Sequence, residues 1–169
     1  MSEHRILVAG IGNIFLGDDA FGVEVAQQML RQEMPDGVQV VDFGIRSFDL
    51  AYAMIEDYEA TILVDATQRG GTPGTLYLIE PDLSELDEME GEVVNAHSMN
   101  PVRVLQLVQT LGGEPGKLYL VGCEPAILES ENGALGLSEQ VAAAVPDAIR
   151  MVLSLVADID TVKKGALSI

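Results

Sequence analysis

The stretch from Val8 to Val25, VAGIGNIFLGDDAFGVEV, opens as a glycine-rich turn and then sets two carboxylates, Asp18 and Asp19, side by side. A dinucleotide fingerprint needs G-x-G-x-x-G after a strand. Gly10 and Gly12 fit that pattern, but the third place holds Phe15. Asp42, the acid expected on a ribose, stands about 30 residues on, beyond the usual spacing of about 20. No Lys or Arg lies between Arg5 and Arg31 to offset the two acids, and a pyrophosphate arriving there would be repelled. The Walker pattern G-x-x-x-x-G-K-[ST] is absent too, so no nucleotide cofactor is expected. One of the two acids can serve simply as a helix cap. A pair is more than a cap needs, and it suits a positive centre.

Two more residue types point the same way. Asp65 ends the apolar run of TILVDAT, where a carboxylate is either a loop or helix cap or a ligand at a strand end. The chain has two histidines. His4 lies in the N-terminal tail. His97, in VVNAHSMNPVRVL, precedes a helix start, in a loop from which a side chain can reach a ligand or play a structural part. Asp19, Asp65 and His97 together would make an O,O,N set. Such a set suits borderline divalent ions such as nickel, zinc or manganese and leaves coordination positions open for a substrate. A Cys123–His97 thiol pair fits less well, because Cys123 ends a buried-looking strand with nothing nearby to lower its pKa. No G-x-S-x-G elbow and no H-E-x-x-H helix is present.

These residues must be positioned by the elements between them. Apolar and β-branched runs predict strands over 5–9, 38–42, 60–65, 75–79 and 117–121. Helical spacing predicts helices over 19–31, with Phe21, Val25 and Met29 on one face, over 47–55 with Ser47 as N-cap, and from Asn100-Pro101 to 111 before Gly112-Gly113. A last helix is predicted over 138–157, with a kink or restart at Pro146. Strands alternating with helices imply an α/β fold, a twisted, mostly parallel five-stranded sheet with helices on both faces, a three-layer sandwich. The GGTPG turn between the third and fourth strands leaves no room for a helix, so the fourth strand should run antiparallel to its predecessor or sit on an edge. In a doubly wound sheet the carboxyl ends of parallel strands share one edge, where ligands bind. That edge would gather Asn13, Asp18, Asp19, Asp42 and Asp65.

Size and composition agree. The 169 residues suit a single domain, 1–169, and 48% hydrophobic content supplies a core. No apolar run approaches the roughly 20 residues of a membrane span, and no secretory signal opens the chain, so a cytoplasmic protein without membrane insertion is expected. One cysteine precludes an internal disulfide. Nine basic against 27 acidic residues give a net charge of −18, which excludes a nucleic-acid surface and favours cations, metal ions or basic peptide segments. The acidic stretch 82–92, DLSELDEMEGE, reads as a solvated loop or frayed helix, with a docking strip for a basic peptide as the alternative.

Taken in order and spacing, GIGNIFLGDDAFG, VDFG, ILVDA, AHSMNP and LYLVGCEP resemble the hydrogenase maturation proteases, endopeptidases that trim the C-terminus of the large subunit of nickel–iron hydrogenases. The resemblance covers nearly the whole chain. It implies that Asp19, Asp65 and His97 are the catalytic, metal-contacting residues. It implies a partner, the hydrogenase large-subunit precursor, which brings the nickel with it and is cut after a basic residue. A monomer is expected. Many members carry a D-G-G-T loop after the second strand. Here the stretch is Asp42-Phe43-Gly44-Ile45-Arg46, so Asp42 and Gly44 remain as substrate-binding candidates while the bulkier Phe43 and Ile45 and the charged Arg46 set this chain apart. The nickel could polarise the scissile carbonyl or hold a hydroxide, or Asp42 or Asp18 could activate a water. The rival readings are a nickel-dependent assembly chaperone that does not cut, and a nucleotide-binding module.

Overall fold

A computed structural model describes residues 6–56, 58–81, 101–113, 116–126 and 136–167. His97, Asn100 and the acidic stretch 82–92 lie outside the described residues. Within them, strands β1 (Ile6–Ile11), β2 (Val38–Gly44), β3 (Ala60–Ala66), β4 (Leu76–Ile79) and β5 (Lys117–Cys123) form one sheet in the order β2-β1-β3-β5-β4. The first three and β5 are mutually parallel. β4 runs antiparallel, at the sheet edge, but it pairs with β5 rather than with its predecessor β3. The sheet is therefore mostly parallel and five-stranded, as the alternation of elements requires.

All six residues of β1 are buried, and so are the first six of β3. Such near-continuous apolar runs are what strands covered on both faces need. Alternation sends successive side chains to opposite faces. Ile6, Val8, Ile62, Val64, Val121 and Cys123 pack under α1 (Phe21–Leu30) and α4 (Glu139–Leu167). Leu7, Ala9, Ile11, Leu63, Leu118 and Leu120 pack under α2 (Ser47–Met54) and α3 (Pro101–Thr110). Phe21, Val25 and Met29 are fully buried, as their spacing predicts, a gain of about 1.5–3 kcal/mol for each large side chain.

Helix ends differ from the sequence reading in three places. Arg46, not Ser47, is the cap of α2, and no side-chain cap bond forms there. α1 begins only at Phe21, because Gly17–Ala20 form a separate 3-10 turn. α4 continues ten residues past the predicted end at 157, and it passes through Pro146 without restarting. Packing of its apolar face on the sheet, through Val141, Val145, Ala148, Val152 and Val156, outweighs the one backbone bond that proline removes.

Candidate active site

β1 has β2 on one side and β3 on the other, so the strand order reverses between β1 and β3. In open α/β sheets ligands bind at such a switch point, outside the carboxyl ends of the strands. The register makes the edge concrete: Gly10 lies level with Asp42 on one neighbour and Val64 on the other. The chain leaving β1 carries Asp19, and β3 carries Asp65 in its last turn of register.

Two glycines allow this crossing. Gly12 has φ +145, and a Cβ on it would lie 1.8 Å from the Asp19 carbonyl oxygen. The 3-10 turn thus rests directly on the β1 exit. A Cβ on Gly22 would lie 1.9 Å from the Val64 carbonyl oxygen and 2.4 Å from that of Ile11. Gly22 therefore does the close helix–strand packing that a fingerprint's third glycine does. The sequence reading placed that position at Phe15, seven residues too early; Phe15 is 65% exposed.

The two acids of the turn have different jobs. Asp18 is fully buried and accepts hydrogen bonds from the Ala126 N–H (2.8 Å), the Ser138 N–H (2.7 Å) and the Ser138 hydroxyl (2.8 Å). It ties the β1 exit to the end of β5 and the start of α4. A carboxylate so engaged is an anchor, not a base for water, and it caps neither the turn nor α1. Asp19 accepts one bond from the Asn13 N–H at 2.8 Å. Partial burial raises its pKa, against the lowering by that bond.

Asp65 is 7% exposed. Burial pushes its carboxyl well above the ordinary 3.8, and the Asp19 charge raises it further, against one lowering bond from the Ala66 N–H. The structure thus brings Asp19 and Asp65 close enough to repel. Two desolvated carboxyls that resist ionisation side by side are relieved by a cation between them. Among the described residues no three His, Cys, Asp or Glu side chains gather as a metal cage; the expected third ligand, His97, lies outside them.

Asp42 and Gly44 line a neighbouring cleft of about 360 Å³ between the β1 and β2 exits. Asp42 accepts from Gln27 Nε2 on α1 at 3.2 Å, and the Gly44 carbonyl accepts from the Gly12 N–H at 2.9 Å. Arg46 donates to the Asp42 and Phe43 carbonyls, and its guanidinium lies over the Phe43 ring at 5.9 Å. Asn13 also lines the cleft, so it joins the cleft to the acid pair.

These observations can be set beside known proteins. The hydrogenase maturation protease family model matches residues 23–155. The chain belongs to the hydrogenase maturation protease family. It is 33% identical over 154 residues to the putative hydrogenase maturation protease of Methanocaldococcus jannaschii, covering 90% of this chain and 97% of that one. It is 32% identical over 152 residues to the hydrogenase 2 maturation protease of Escherichia coli, covering 89% of each. The structure superposes on the hydrogenase maturating endopeptidase HybD of E. coli with a TM-score of 0.76 at 30% identity, covering 91% of this chain and 93% of that one. Membership makes the chain an endopeptidase of hydrogenase maturation, in place of the nucleotide module and the chaperone that does not cut.

Asp18, expected as a helix cap or a base for water, is instead the anchor of the maturation protease edge. Glu124, directly after β5, had no role expected from the sequence: it accepts from the Arg69 and Gly71 N–H groups and from the Tyr77 hydroxyl. Burial pushes its carboxyl up, and those three bonds with the nearby Arg69 charge outweigh burial and hold it below the ordinary value. The signal was available, since an acid ending an apolar strand is the rule that singled out Asp65. Cys123 is buried, and desolvation together with the Asp18 and Glu124 charges pushes its thiol up to about 11, which suits a core residue and not a nucleophile. Among the described residues no helix is long and apolar enough to cross a membrane.

Proposed function

We propose that this protease removes the C-terminal extension of a hydrogenase large-subunit precursor, and that it recognises the precursor through the nickel the precursor already carries. Asp19, Asp65 and His97 are the residues assigned to contact that nickel. The observation that carries the reading is the Asp19–Asp65 pair at the β1/β3 switch point, where burial and mutual repulsion favour an arriving cation. Alternation along β3 directs Asp65 toward the face covered by α2 and α3, the face of Leu63. His97 precedes the first residue of α3, Pro101, by four positions in the sequence.

Divalent nickel supplies Lewis acidity toward a neighbouring carbonyl. The chain's own residues do the positioning. The cation would favour the ionised form of Asp65 that burial disfavours, and Asp19, positioned by the Asn13 N–H, would bind beside it. Fixing the metal fixes the adjacent peptide bond, which converts binding into rate. Asp42, exposed to the neighbouring cleft, remains as a group that can accept a proton from water. We place the reaction in the cytoplasm, where the lone thiol, Cys123, stays reduced.

Mass spectrometry of the precursor, with and without nickel, tests the proposal after mixing with this protein. A defined C-terminal loss only with nickel is expected, and His97→Ala should abolish it while circular dichroism stays unchanged. Full cleavage by His97→Ala would remove His97 from the site.

A further inference from the structure

The cleft beside the acid pair has a feature that catalysis by Asp19 and Asp65 does not require. Its mouth is formed by large apolar side chains facing water, Phe15 at 65% exposure and Ile45 at 58%. Neither is exposed by slackness. The Phe15 N–H donates to the Asn13 side-chain oxygen at 2.9 Å, which pins Phe15 on a tight turn. Ile45 stands between Gly44, bonded through its carbonyl to Gly12, and Arg46, whose guanidinium is held by two backbone carbonyls. The interior is lined by the buried Val23 and Phe43. Two hydrogen-bonded turns thus hold apolar groups in water over an apolar recess, an arrangement that marks an interaction site.

We infer that Phe15 and Ile45 form a specificity pocket that seats one uncharged, apolar side chain of the precursor, in the segment beside the bond that is cut. The occupant follows from position and charge. Asn13 lines this cleft and its N–H holds Asp19, so a segment lying here is continuous with the site of cleavage. The space, about 360 Å³, takes a large side chain with its flanking backbone rather than a folded domain. The chain's charge of −18 disfavours an acidic insert. Arg46, at the rim, is already committed to the Asp42 and Phe43 carbonyls, so it offers little to a ligand carboxylate.

The inference rests on the proteolytic reading, and one experiment separates them. Cleavage of nickel-loaded precursor is followed with wild type, Phe15→Ser, Ile45→Ser and the double variant. KM for the precursor should rise by about tenfold or more in the double variant while kcat stays near wild type, because a missing apolar contact removes binding and not chemistry. Both residues are exposed, so the melting temperature should not fall. Changing the apolar precursor residues flanking the cut to Asp, one at a time, should raise KM for wild type at one position and add nothing for the double variant there. Cleavage by wild type with an unchanged KM in the double variant overturns this inference alone. An intact precursor with wild type overturns the proteolytic reading and this inference with it. A concentration-dependent dimer that the double variant loses, with KM unchanged, assigns the patch to a second copy of the chain and also overturns the inference.

Discussion

At the scale of single residues, the site sets binding of a cation against folding stability. Asp65 has a folded-state pKa above the unfolded value of 3.8. Such a carboxyl favours folding only in its protonated form, so its contribution is complete below 3.8 and is lost as pH rises through the folded value. Asp65→Asn keeps the shape and removes the charge. It should therefore melt at a higher temperature than wild type at neutral pH, and the gain should shrink as pH falls toward 3.8, while nickel-dependent cleavage disappears. A Tm difference independent of pH would contradict the burial argument. Asp18 should behave in the opposite sense. Asp18→Ala removes the charged acceptor of the Ala126 and Ser138 N–H groups and the Ser138 hydroxyl, at about 1.5–3 kcal/mol for each hydrogen bond to a charged group. Ser138→Ala removes only the hydroxyl and should cost about 1 kcal/mol. Urea midpoints compare the two, and an equal loss would mean that Asp18 does not anchor both segments.

At the scale of elements, the separation of the acid pair is set by how closely α1 approaches the strand ends. Gly22 touches the carbonyls of Ile11 and Val64, the residue before Asp65, while the turn preceding α1 carries Asp19. Gly22→Ala must push α1 outward, since both contacts are backbone. Overpacking of this kind costs about 1–3 kcal/mol, and more where backbone cannot yield. The variant should lose cleavage by more than its folded fraction loses, because the displacement falls on the pair itself. Thermal melting and cleavage at the same temperature check this, and loss of activity in proportion to unfolding alone would refute it. Glu124 plays a matching part at the other end of the edge, fastening the 69–71 loop and Tyr77 of β4 to the exit of β5.

At the scale of the molecule, the doubly wound order puts every parallel strand's carboxyl end on one side, and a chain carrying −18 surrounds that side with negative potential. The field draws cations to that side and also strains the folded state by self-repulsion. Raising ionic strength from about 0.01 M to about 0.15 M shortens the screening length from roughly 30 to 8 Å. The melting temperature should rise over that range, and a flat response in a salt titration followed by calorimetry would show that repulsion is not a significant cost.

The sequence by itself determined the positions of the five strands and the helices among the described residues, because apolar periodicity follows directly from backbone geometry and burial on two faces. It also singled out Asp65, since an acid closing an apolar strand is conspicuous in one dimension, and it marked Asp18 and Asp19 as a pair, of which the family resemblance implied Asp19. Only the tertiary structure separated Asp18 from Asp19. The partners that make Asp18 an anchor lie 108 and 120 residues away, and a hydrogen bond across that distance leaves no local pattern. The same reason hid Gly22, whose neighbours are carbonyls of two strands, and Glu124, whose donors come from the 69–71 loop and from Tyr77 of β4, 47 to 55 residues earlier. Pairing of β4 with β5 likewise followed from packing, which no turn between β3 and β4 encodes.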